Sequence, residues 1–137
     1  MFMNTHGVNT LQSNEFAVTL DGEAIDTILS CDMFEYLTAA GDADKPFLTF
    51  YKQVEDSRDS VFNRWLGETL GSKEPSSRPR RTFVVTAVND GNPIRRWTFA
   101  GSWIAAVAQG SLDSTSHEFA VERVTLGYDT IGCELIG

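Results

Sequence analysis

The sequence predicts a mainly β domain: a small antiparallel β-barrel or sandwich with one flanking α-helix. Three observations predict it. Two turn signals, Asp21-Gly22 and Asn89-Asp90-Gly91-Asn92, each sit between runs of alternating apolar residues. Asp, Asn and Gly tolerate the positive φ of tight hairpin turns, so such pairs mark hairpins. One stretch alone, around residues 59–70, carries an apolar stripe of helical period. The long stretch Arg95–Asp129 holds two β-rich runs, Arg95–Val107 and Glu118–Asp129, around a polar loop at Gln109–His117.

The elements follow in order. Residues 1–14 are polar and read as an N-terminal arm, and 15–137 as one β domain. Glu15–Leu20 is a strand with Phe16, Val18 and Leu20 on one face; across the Asp21-Gly22 turn a second strand runs over Ala24–Met33. Phe34–Pro46 is either a short helix or an extended loop. Its Asp42 and Asp44 lack the oxygen ligands and terminal Glu of a calcium loop and suit a solvated turn. Phe47–Val54 is a strand that places Leu48, Phe50, Lys52 and Val54 on one face. The helix Asp59–Leu70 follows, with Asp56 or Ser57 able to cap it, a stripe of Val61, Phe62, Trp65, Leu66 and Leu70, and Gly71 at its end. Ser72–Pro79 is a loop. Arg80–Val88 and Arg95–Ala100 form the second hairpin, and Gly101 breaks or bulges the run before Ser102–Val107. On the first run Trp97, Phe99 and Trp103 share odd positions; on the last strand, Glu118–Asp129, Val124, Leu126 and Tyr128 share a face. Thr130–Gly137 adds a short closing strand. The count is roughly six to eight hairpin-linked strands and one helix, which is a largely antiparallel sheet.

Composition bounds the function. The formal net charge is −8, which argues against a nucleic-acid-binding face. Cys31 and Cys133 show no metal spacing and read as two buried free thiols of a protein made in the cytoplasm, with a disulfide as the alternative. The start MFMNTHGVNT lacks the basic and apolar regions of a signal peptide, and no run approaches the ~18 apolar residues of a membrane span. No membrane binding by the free subunit is expected.

Chemistry is sparse. Ser111, Asp113, Ser114, Ser116 and His117 superficially suggest a hydrolase set, but they are clustered in one Ser-rich loop with no strained nucleophile elbow. No phosphate loop, dinucleotide fingerprint or Cys/His metal cluster is present. No catalytic residue, cofactor or metal is expected. The basic pairs Arg80-Arg81 and Arg95-Arg96 could form one patch that pairs with acidic groups on a neighbour, or simply protect strand edges.

The order of packing motifs carries a resemblance. Phe16-x-Val18-x-Leu20-Asp21-Gly22 opens the domain, and the strand at Thr49 precedes a helix carrying Trp65. Later come Trp97-x-Phe99-x-x-x-Trp103, Gly110-Ser111-Leu112-Asp113 and Glu118-Phe119-Ala120-Val121-Glu122-x-Val124-x-Leu126. Together, over Glu15–Asp129, they resemble the tail tube proteins of phage contractile tails and related contractile injection systems. Trp103-Ile104 departs from the tryptophan-proline pair often found there, and Phe34–Pro46 is shorter than the usual extension.

The resemblance implies a structural subunit, not an enzyme. Such subunits form hexameric rings that stack into a hollow tube for DNA or effector cargo. Neighbouring barrels continue one sheet around the ring. The implied partners are further copies of the chain, contractile sheath subunits, baseplate or hub and terminator proteins, and cargo in the lumen. The residues expected to serve packing or subunit contacts are Arg95, Arg96, Trp97, Phe99, Trp103, Glu122, Val124 and Leu126. Glu122 matches a family glutamate expected to pair with a basic residue or backbone amides. The alternative from the residues alone is a small-molecule-binding β-barrel carrier, with Trp97, Phe99 and Trp103 lining a cavity.

Overall fold

A computed structural model describes residues 15–39, 46–72 and 74–137. The expected N-terminal arm and Asp42 and Asp44 lie outside these residues. Among the described residues eight strands and one α-helix follow one another: β1 (Phe16–Leu20), β2 (Glu23–Ala24), β3 (Ile28–Cys31), β4 (Phe47–Gln53), α1 (Val61–Leu70), β5 (Arg81–Asn89), β6 (Asn92–Gln109), β7 (Val121–Gly127) and β8 (Thr130–Leu135). All pairings are antiparallel, in the order β2-β1-β5-β6-β7-β4-β3, with β8 also on β6.

Strand β6 organises the fold because it belongs to two sheet layers. Its first half pairs β5 and β8, and its second half pairs β7. The bend between them falls at Gly101, whose φ is +65°. A Cβ there would also collide with the Asp129 carboxylate, so only glycine fits both the conformation and the space. β2 and β3 do not pair with each other, so the barrel is open along one side. α1 covers that side. It reaches β2 through Arg64–Glu23 at 2.8 Å and β4 through Phe62 against Phe50, ring centres 6.4 Å apart.

The interior rows obey the two-residue period. Leu20, Phe83, Phe99 and Ile131 form one row across the first layer; Leu48, Leu126 and Ile104 form one across the second. Phe50 and Phe83 stack between the layers at 5.0 Å, Phe83 meets Phe99 at 6.2 Å, and Phe99 meets Tyr128 edge-on at 5.1 Å. Each such aromatic contact adds about 0.5–1.5 kcal/mol beyond area burial.

Three expectations need correction. The run Ala24–Met33 is not one strand. After β2 the chain turns at Asp26-Thr27, and β3 joins β4 in the other layer. The helix is capped by Ser60, whose Oγ accepts from the Asn63 amide at 3.2 Å, not by Asp56 or Ser57. Its buried line is Phe62, Trp65 and Thr69, while Leu70 is 77% exposed, because the helix ends at Gly71 one position past the line facing the sheet. Thr69 is tolerated inside because its hydroxyl donates to the Trp65 carbonyl at 2.9 Å. The segment 32–39 has no regular structure; it lays Phe34 edge-on to Trp97 and Phe99 at 5.4 and 5.2 Å.

Candidate assembly surfaces

The residues singled out in sequence divide into an inner and an outer group. Phe99, Val124 and Leu126 are fully buried in the shared core, and Trp97 is half-buried against Phe34 and Tyr36. These hold the subunit together. Trp103 does not share the face of Trp97 and Phe99. The left-handed residue Gly101 shifts the alternation by one, so burial passes from Phe99 to Ser102 and Ile104 and turns Trp103 outward. There its indole lies on Gly127, where any Cβ would strike the ring. Phe47 flanks it at 6.5 Å and the Arg80 guanidinium covers it at 5.2 Å.

Glu122 is 5% exposed and pairs with Lys52, which is fully buried. Their register on β4 and β7 places them directly opposite, Nζ to Oε2 at 2.9 Å. Lys52 also donates to the Gln53 carbonyl at 2.7 Å and lies 4.6 Å over the Phe62 ring. Glu55 extends the network: it accepts from Ser60 at 2.6 Å and Thr27 at 2.7 Å, and its other contact to Lys52 is 3.9 Å. One buried cation therefore ties β4, β7, the start of β3 and the cap of α1. The functional residue that sequence reasoning passed over is Lys52. Its signal was its place on the apolar face of β4 with Leu48 and Phe50.

The two basic pairs do not form one patch. Arg81 lies at the start of β5, opposite Ser102, and pairs with Asp21 and Glu68; Arg95 and Arg96 lie near the hairpin turn, opposite Ala87 and Thr86. Arg96 meets Glu134 at 3.0 Å and Arg95 donates to the Tyr36 hydroxyl at 3.3 Å.

The outward rows of both layers carry few charges: Arg96, which pairs with Glu134, and Arg123. They read Thr19–Val84–Thr98–Gly132 and Ala17–Thr86–Arg96–Glu134 in one layer, and Ser30–Tyr51–Arg123–Ala108, Thr49–Thr125–Ala106 and Phe47–Gly127–Trp103 in the other. Among the described residues the remaining carboxylates, apart from Glu23 on β2 and the buried Glu122 on β7, sit in turns, loops and on α1. The loop 110–120 projects from one end of the second layer. Gly110 donates to the Val121 carbonyl at 2.8 Å to close its neck. Asp113 accepts from the Thr115 amide and hydroxyl at 2.9 and 2.8 Å; these bonds, the amide first, hold its carboxyl below the usual range. His117 takes no part in them, so the loop's serines, Asp113 and His117 make no relay. Leu112 and Phe119 stand 75% and 76% exposed on it. Among the described residues no group of three or more metal-ligating side chains converges.

The model of the T4-like virus tail tube protein gp19 family matches residues 32–132, from the end of β3 into β8. The chain belongs to this tail tube family. By family it is a structural tube subunit, and its fold is β-rich. The tail tube chain is similar to one in the structure of the anti-feeding prophage tube terminating cap, with a TM-score of 0.70 at 18% identity over 97% of this chain and 96% of that one. It is similar to a chain of the extended sheath–tube complex of the extracellular contractile injection system PVC, with 0.66 at 19% over 93% of each. Hcp2 from Salmonella typhimurium shares the fold too, with 0.59 at 14% over 90% and 88%. No curated protein matches the chain in sequence. The carrier alternative has no support: Phe50, Phe62, Trp65, Phe83 and Phe99 fill the interior that a ligand would need.

Proposed function

We propose that this tail tube subunit assembles into hexameric rings that stack into the inner tube of a contractile phage tail or contractile injection system. The observation that carries the proposal is the family match across β4–β8, the elements that build both sheet layers. Neighbouring subunits continue a sheet around the ring, and the sides of β3, β8 and the second half of β6 that no described residue pairs are the edges available for it. Its partners are sheath subunits outside, baseplate or hub and terminator proteins at the ends, and cargo in the lumen. The subunit is made in the cytoplasm and works without turnover. Sheet faces that carry few charges, with Arg96 paired to Glu134, support a conduit wall that lets cargo pass without holding it.

Sedimentation of the purified chain across a concentration series tests this. A boundary at six times the monomer mass is expected. A monomer boundary at every concentration would contradict the ring.

A further inference from the structure

The second sheet layer has chemically complementary ends. At one end stands the loop 110–120, which cups a shallow concavity lined by Ser111, Leu112, Asp113, Ser116, Glu118 and Phe119. It offers two exposed apolar side chains and two carboxylates; neither carboxylate has a cationic partner among the described residues. At the other end, the last row is Phe47–Gly127–Trp103. Arg80 lies over Trp103, exposed, and it too forms no ion pair with a described residue. Phe47 is 47% exposed beside it. The six residue steps from Gly127 back to Val121 separate these ends by about 20 Å at strand rise.

An uncovered apolar pair on an acidic loop and an unpaired cation on an aromatic platform are complementary in both charge and polarity. They lie on one chain and face opposite ways, so they cannot satisfy each other within the subunit. A second copy in the same orientation can bring them together, and a head-to-tail contact of two different surfaces repeats without closing. We propose that loop 110–120 of one subunit receives the Arg80–Trp103–Phe47 end of a second copy, and that this contact stacks ring on ring. Arg80 enters the cup between Asp113 and Glu118 while Leu112 and Phe119 cover Trp103 and Phe47. The inference deepens the tube reading and rests on it.

The test is electron microscopy and sedimentation of the full chain and its variants. Arg80→Glu should leave single rings and raise the concentration needed for stacking by at least about tenfold, since like charges then face each other. Phe119→Ser should weaken stacking similarly. The charge-exchanged variant, Arg80→Glu with Asp113→Arg and Glu118→Arg, should recover stacking. Circular dichroism and thermal midpoints guard against misfolding; all four substituted residues are exposed and outside the core. Variants that stack like the parent, or an exchanged variant no better than Arg80→Glu alone, would overturn the contact while leaving rings intact. Parent rings that never stack would overturn it as well. A parent that forms no rings would remove the tube reading and this contact together.

Discussion

Lys52 and Glu122 show how one residue pair can be indispensable singly and replaceable jointly. Both are buried, so removing one leaves an uncompensated charge inside the subunit. Lys52→Met should lower stability by about 3–5 kcal/mol, and Lys52→Met with Glu122→Leu should regain most of it. Urea denaturation of the two variants measures this; equal losses in both would contradict the pairing account. Gly127 carries a different constraint. A side chain there meets the Trp103 indole, so Gly127→Val should cost about 1–3 kcal/mol, read in the same titration, by forcing Trp103 off its platform. Cys31 and Cys133 are both free, but the expectation that both are buried fails for Cys133, which is exposed on β8. Burial first, and Asp32 second, push the Cys31 thiol from 9.0 up to about 11, while Cys133 is exposed. Alkylation at pH 8 should therefore modify Cys133 fast and Cys31 slowly. The folded chain keeps the Cys31 proton longer than the unfolded chain does. Its contribution to stability is full below the ordinary thiol pKa and is lost as pH rises towards 11. At this scale the alternation on β4 put Lys52 on the face of Leu48 and Phe50 without marking it as a buried cation, and the resemblance left the partner of Glu122 open between a basic residue and backbone amides. The outward turn of Trp103 was not legible, because parity fails when one residue takes a left-handed φ, and only the structure shows Gly101 doing so.

The elements were legible wherever local chemistry dictates geometry. Asp21-Gly22 and Asp90-Gly91 adopt positive φ at both positions, as hairpin turns require. The split between β2 and β3 was hidden. Asp26-Thr27 carries no Gly or Pro, and what turns the chain is tertiary: Ile25 is buried, and Thr27 donates to Glu55 while its carbonyl accepts from the Gln53 amide at 2.9 Å. The helix was legible as an element and not in its cap. Asp56, Ser57, Asp59 and Ser60 can all cap, and Glu55 decides by holding the Ser60 hydroxyl at 2.6 Å. Ser60→Ala should cost about 1–2 kcal/mol, since it frees both a helix amide and a Glu55 oxygen. Ser57→Ala should cost much less. Thermal unfolding of the two variants separates these outcomes, and the reverse order would contradict the assignment of the cap.

At the scale of the molecule, length and composition bounded one domain of ordinary globular make-up, but the family came from the order of packing motifs along the chain. Where the acidity sits was not readable, because position on a face requires register. The structure places most charge in turns, loops and α1, and leaves few charges on the outward sheet rows. That distribution suits a subunit whose flat faces form a wall and whose ends meet other rings. The most direct test is negative-stain electron microscopy of the purified chain at low and high concentration. Six-fold rings that stack into hollow filaments as concentration rises are the predicted result. Monomeric particles at every concentration would contradict the account.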